Sequence, residues 1–255
     1  MNNPRTRGIY KSSSPAQPFI PDKFFMVMGQ SNAQGQGVID PLLDVSSEKI
    51  YELTAINQTQ IANDPLVNNT HTSNALMGFG MTFARSYVEA TGETIAILLC
   101  AKSGTSLNGG VWKQGGVQYN DALAAILKMQ RFGSTLAGIL WHQGESDSSV
   151  AGSPVYASNL STMIANFRAD MEGDSSAPFI TGSLADGYLA NTDASFPMAN
   201  RNEVNDALVD APNQIANCAH ASLIGCADDL LHFTAAGLRL AGQRYYTAYD
   251  NFINP

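Results

Sequence analysis

At 255 residues and 44% hydrophobic content, the chain is long enough to close one full α/β core or two small domains. Only 14% of its residues are charged and the net charge is -8, which argues against nucleic acid or an anionic membrane as partner and suits a neutral ligand such as a sugar. No apolar run approaches the ~18 residues of a membrane span, and the basic N-terminus has no apolar segment behind it, so neither a spanning helix nor a secretory signal is predicted.

Residues 1–22, rich in Pro, Ser and Arg, read as an arm or linker ahead of a single domain over 23–255. Phe24 to Met28 has the bulk of a strand buried on both faces, and it runs straight into the small polar turn Gly29-Gln30-Ser31-Asn32. Leu53 to Ile56 is a weak second strand, and 57–74 reads as polar loop. Leu76, Gly80, Phe83, Ala84, Tyr87 and Val88 mark one face of a helix that ends at Gly92. Ile95 to Cys100 is the third strand, opening into a Gly- and Ser-rich loop over 101–116 that contains Trp112. Tyr119, Leu123, Ile126, Leu127 and Gln130 form the next helical face.

Leu136 to Trp141 is the fourth strand, followed by a polar turn from His142 to Ser149. Tyr156, Leu160, Met163, Ile164, Phe167 and Met171 give a helix, Phe179 to Thr181 a fifth strand, Asn202 to Leu208 a helix, and Ala219 to Ile224 a sixth strand or irregular stretch. Leu238, Ala241, Tyr245, Ala248 and Phe252 recur at helical spacing behind Thr234, an N-cap residue. Strands alternating with helices, without a repeat or a change of composition, predict an α/β fold: one doubly wound parallel sheet with helices on both faces. Cys100 reads as a buried free thiol; Cys218 and Cys226 are close enough to pair, and a reduced pair fits equally well.

In such a sheet, sites gather at the carboxyl ends of the strands. Polar clusters follow three strands, at Gly29 to Asn32, Lys102 to Ser106 and His142 to Asp147; another, Asp228 to Thr234, precedes the final helix. Together they hold what acyl transfer needs. A serine hydroxyl is a weak nucleophile until a base takes its proton, and imidazole is the usual base near neutrality. Ser31 and His232 fit these roles. Asp229, three residues before His232, is placed to turn back to the other ring nitrogen and steady the imidazolium, with Asp228 as its rival. The N–H groups of Ser31 and Gly104 and the side-chain amide of Gln143 are candidate donors to an oxyanion.

Blander readings stand beside these. Gln143 fits a loop-closing amide as well as a donor, Glu145 a buttress of its loop, Asp147 a turn acid, and His142 and His220 structural histidines. His71 sits in a polar loop. Trp112 and Tyr119 suit either stacking on a sugar ring or burial. Gln30 and Asn32 join Glu145, Trp112 and His71 as supporting or substrate-lining candidates. No HExxH or CxxC spacing supports a metal site.

Gly29-Gln30-Ser31-Asn32, Gly104-Thr105-Ser106, Trp141-His142-Gln143-Gly144-Glu145-Ser146-Asp147 and Asp229-Leu230-Leu231-His232 resemble the ordered blocks of the SGNH, or GDSL-type, hydrolase superfamily. The branch they are most similar to is carbohydrate esterase family 6 with the sialate O-acetylesterases. Asp64-Pro65-Leu66, Phe83-Ala84-Arg85 and Tyr119-Asn120 are similar too, and the likeness runs from Phe24 to about Phe252. It implies a flavodoxin-like SGNH fold, Ser31 as nucleophile, His232 as base with Asp229 as its partner, and no metal or cofactor. Two positions depart from the general superfamily pattern: Gln30 replaces the acid of Gly-Asp-Ser, and Gln143 replaces an Asn. The second departure is shared with the carbohydrate-esterase branch.

The function this implies is removal of O-acetyl groups from a carbohydrate (acetylated xylan, sialic acid or a related polysaccharide) through an acyl-enzyme. Two other readings use the same fold: a lipase or thioesterase for longer acyl chains, and a non-catalytic carbohydrate-binding module. The expected partner is the acetylated carbohydrate, with no nucleic acid and no membrane; the compartment stays open, since a chain with no secretory signal or transmembrane segment is either cytoplasmic or exported or assembled by another route.

Overall fold

The computed structural model describes residues 19–55, 57–70, 76–191 and 199–255. Seven strands form one sheet: β1 (Lys23–Gly29), β2 (Ile50–Leu53), β3 (Thr59–Ile61), β4 (Ile95–Ala101), β5 (Thr135–His142), β6 (Phe179–Gly182) and β7 (Cys218–Ala221), in the order β3-β2-β4-β1-β5-β6-β7. Every pairing is parallel except β2 with β3. β1 is central, hydrogen-bonded to β4 on one side and β5 on the other. Phe24 to Met28 are at most 1% exposed, as a strand covered on both faces requires.

Among the described residues there are seven α-helices: α1 (Ser31–Gln34), α2 (Gly80–Thr91), α3 (Val117–Arg131), α4 (Ser153–Asp170), α5 (Asp186–Ala190), α6 (Arg201–Gln214) and α7 (Ala235–Ile253). α2 stops at Gly92, whose left-handed φ of 70° suits glycine and whose N–H donates to Val88 O. α7 begins at Thr234, where Oγ1 accepts from the N–H of Gly237. Tyr119 and Phe167 meet with ring centroids 4.1 Å apart, joining α3 to α4. No helix among the described residues is long and apolar enough to cross a membrane.

Several boundaries differ from the sequence reading. The second strand lies at Ile50–Leu53, ahead of the expected stretch, and the polar segment after it contains β3, which pairs antiparallel with β2. Leu76 lies outside α2 and is 43% exposed, while Met77 bridges to Gly37. α6 extends through Gln214, well past Leu208, and the short helix α5 has no periodic signal in the sequence. Cys100, Cys218 and Cys226 are all free thiols, and burial pushes Cys218 up to about 12 and Cys226 to about 11. The expected arm falls largely in residues 1–18, outside the described residues.

Candidate active site

β1 delivers Ser31. Gly29 makes the turn possible: its φ is +139°, and a Cβ there would lie 1.9 Å from the His142 carbonyl oxygen. That close approach lets the Gln30 N–H donate to His142 O at 3.0 Å, so the turn that carries Ser31 stays hydrogen-bonded to β5 beyond the last strand pair. Ser31 opens α1 and is 5% exposed. Its Oγ lies 3.1 Å from His232 Nε2, the separation a serine–imidazole proton transfer needs.

His232 sits on a tight turn before α7. The Asp229 N–H donates to His232 O at 2.9 Å, and Asp229 Oδ1 accepts from the N–H groups of His232 (2.7 Å) and Leu231 (3.2 Å). The sequence spacing places Asp229 against the ring; among the described residues its hydrogen bonds go to the main chain instead. Its Oδ1 is occupied by the donors of its own turn, the usual behaviour of an aspartate there. Asp228 faces elsewhere, accepting from the N–H groups of Gly187 (3.0 Å) and Leu230 (2.9 Å).

A cavity of about 260 Å³ opens over this pair, lined by Gln36, Ser103, Gly104 and Tyr188 together with Gln30, Ser31, Glu145, Ser146, Leu231 and His232. Gly104 adopts a left-handed φ of +72°, which turns the loop after β4 past the serine. Gln30 accepts through Oε1 from the Ser146 N–H (3.2 Å) and from Gln143 Nε2 (3.1 Å), bracing one wall.

Gln143 does not reach this cavity. It is fully buried, and Nε2 points to Asp147 Oδ2 (2.7 Å), Thr105 O (3.1 Å) and Gln30 Oε1 (3.1 Å). With its two N–H bonds committed to these acceptors, the amide fits the loop-closing role rather than that of an oxyanion donor. Asp147 extends the same brace, accepting from the N–H groups of Leu107 (2.8 Å) and Asn108 (2.9 Å).

Glu145 is 3% exposed and takes a hydrogen bond from Asn32 Nδ2 at 2.7 Å. Burial pulls its carboxyl up, but the neighbouring His142 imidazole and the Asn32 amide outweigh burial and leave it below its ordinary value. His142 is wholly buried; its Nδ1 is 3.3 Å from the Tyr245 hydroxyl, and its Nε2 lies 3.3 Å from Glu145 Oε1 but out of line for a hydrogen bond. His220 is held between Thr181 and Ser183 hydroxyls, each 3.0 Å away, and burial lowers it to about 4.

The aromatic candidates are not sugar platforms. Trp112 is fully buried, its Nε1 donates to Thr105 Oγ1 at 3.0 Å, and its ring meets Trp141 edge to face at 5.1 Å. Tyr119 is 1% exposed and donates to Asp170. His71 lies outside the described residues. Conversely, Gln34, Gln36 and Tyr188 belong to the site or its support, and no motif singles them out.

Comparison with known proteins agrees with this architecture. The family model described as "Carbohydrate esterase, sialic acid-specific acetylesterase" matches residues 21–251. A probable carbohydrate esterase of Arabidopsis thaliana is 28% identical over 189 residues, covering 67% of this chain and 72% of that protein. A solved Arabidopsis thaliana structure superposes with a TM-score of 0.79 at 24% identity, covering 91% of this chain and 98% of the other. The structure of NanS superposes at 0.68 with 18% identity, covering 92% and 99%. The fold is that of the SGNH hydrolases.

Proposed function

Since the chain belongs to the carbohydrate esterase family of sialic acid-specific acetylesterases and is a carboxylic ester hydrolase, we propose that it releases acetate from O-acetylated sugars with Ser31 as nucleophile and His232 as general base. The observation that carries the assignment is the 3.1 Å approach of Ser31 Oγ to His232 Nε2 at the floor of a cavity that also exposes Gly104.

Ser31 Oγ attacks the ester carbonyl as His232 Nε2 takes its proton. The backbone N–H groups of Ser31 and Gly104 receive the oxyanion; each such donor is typically worth ~10²–10³ in rate. The imidazolium then protonates the departing sugar oxygen, and a water molecule repeats the sequence on the acetyl-serine. Asp229 accepts from the His232 main-chain N–H and so steadies the turn that presents the ring to Ser31.

A cavity of about 260 Å³ suits a short acyl group with part of a sugar better than a long chain. The test is acetate release from acetylated xylan, O-acetylated sialic acids and bacterial polysaccharides, with Ser31→Ala in parallel. Turnover of at least one acetylated glycan, lowered by ~10³ or more in Ser31→Ala, is expected. Full activity of Ser31→Ala, or a preference for octanoyl over acetyl esters, would overturn the reading.

A further inference from the structure

Between the nucleophile and the base lies a side chain that the acyl-transfer chemistry does not itself require. Asn32 follows Ser31 directly and is wholly buried. Its Nδ2 donates to Leu231 O at 3.2 Å, and its Oδ1 accepts from the Phe233 N–H at 3.0 Å. One carboxamide therefore grips the main chain on both sides of His232. Its remaining N–H donates to Glu145 Oε1 at 2.7 Å. The direction of each bond follows from the partners: two acceptors face the nitrogen, and one donor faces the oxygen, so a flipped amide would lose all three bonds.

Glu145 is itself locked in place. Tyr188 donates to its backbone oxygen at 3.0 Å, and its Oε2 is buried with no partner among the described residues. A buried carboxylate that leaves one oxygen unsatisfied costs free energy, and Asn32 is the hydrogen-bond partner it keeps.

We propose that Asn32 and Glu145 are positioning residues: the Glu145 carboxylate orients the Asn32 amide, and that amide fixes His232 Nε2 on Ser31 Oγ. The inference rests on the serine esterase reading. Asn32 is covalently next to the nucleophile and hydrogen-bonded to both neighbours of the base, so any rotation of its amide changes the distance over which the proton moves. A misplacement of about 1 Å in such a pair costs on the order of 10²-fold in rate. Substrate binding has no such dependence, since Asn32 does not line the cavity.

The test compares Asn32→Ala, Glu145→Ala and Glu145→Gln by steady-state hydrolysis of an acetyl ester and by the rate at which a p-nitrophenyl phosphonate labels Ser31, with folding checked by circular dichroism. Asn32→Ala and Glu145→Ala should each lower kcat and the labelling rate by ~10–100-fold, with KM within about threefold in Asn32→Ala, whose side chain stays outside the cavity. Glu145→Gln, which keeps an acceptor for the Asn32 amide, should recover most of the loss. A folded Asn32→Ala with kcat and labelling within twofold of wild type would overturn the proposal. So would Glu145→Gln as impaired as Glu145→Ala. If Asn32→Ala does not fold, the comparison of the two Glu145 variants decides between the same outcomes. Wild-type protein that neither hydrolyses the ester nor labels at Ser31 would instead refute the esterase reading.

Discussion

Gln34 Oε1 accepts two hydrogen bonds from a single residue, the backbone N–H of Ser103 at 2.9 Å and its hydroxyl at 3.1 Å. Gln34 closes the short helix that Ser31 opens, and Ser103 precedes Gly104. The bond pair therefore ties the helix that Ser31 opens to the loop that carries Gly104, the proposed oxyanion donor. Gln34→Leu should release that loop and lower kcat by about tenfold while moving KM little. Steady-state kinetics on an acetyl ester measures both, and an unchanged kcat would show that the loop holds itself.

For Asp229 the main-chain contacts predict a graded result. Asp229→Asn keeps an oxygen that can accept from the N–H groups of Leu231 and His232, whereas Asp229→Ala removes it. The Asn variant should lose less activity than the Ala variant, and both less than Ser31→Ala. Equal losses in the two would mean that the charge, rather than the turn, is what matters.

Gln143→Leu tests the loop-closing role. It strips Asp147, Thr105 and Gln30 of a buried donor, at a cost of about 2 kcal/mol. For a chain of this size that lowers Tm by roughly 4–8 °C. The kcat of the folded variant should fall by less than the ~10² expected of a lost oxyanion donor. Thermal melts and kinetics on one preparation separate the two.

Asp64 gives a pH dependence of stability. Its side chain is 1% exposed, the nearest cation is Arg85 Nη1 at 4.0 Å from Oδ2, and neither oxygen makes a well-formed hydrogen bond among the described residues. Burial, helped by the nearby Asp44 charge, outweighs the pull of Arg85 and lifts the carboxyl from 3.8 to about 7. Between those values the unfolded chain is ionised and the folded one holds its proton, so this group's contribution is greatest below about pH 4 and is lost as pH rises to 7. The loss is on the order of 4 kcal/mol. Asp64→Asn should abolish it, and urea melts of both proteins at pH 4.5, 6 and 7.5 should show slopes that differ in that sense.

The parts of the site legible in the sequence are those at abrupt boundaries. Ser31 follows a run of buried apolar residues, and His232 stands three residues after an aspartate and just before a capped helix. Such boundaries are local, and so is their signal. β3 is not local: Thr59–Ile61 is a strand only because Tyr51 to Leu53 pair with it in antiparallel register. The second strand starts earlier than its apolar pattern suggests because its parallel contact with β4 is confined to Ile50 and Tyr51. Trp112, in a Gly-rich loop, has the sequence surroundings of an exposed ring, yet Asp147 draws the Leu107–Asn108 backbone of that loop inward from 40 residues away. Gln34 and Tyr188 are the extreme case. Their partners lie 69 and 43 residues distant in sequence, so no pattern around either residue announces what it does.

The hydroxyl and the imidazole that meet at the floor of the cavity are 201 residues apart in the chain. During synthesis the serine leaves the ribosome long before its activator exists, and the strand that carries it waits for the segment ahead of α7 to settle beside it. On the proposed roles, turnover requires both segments to be in place, so acetate release would report that the two have met.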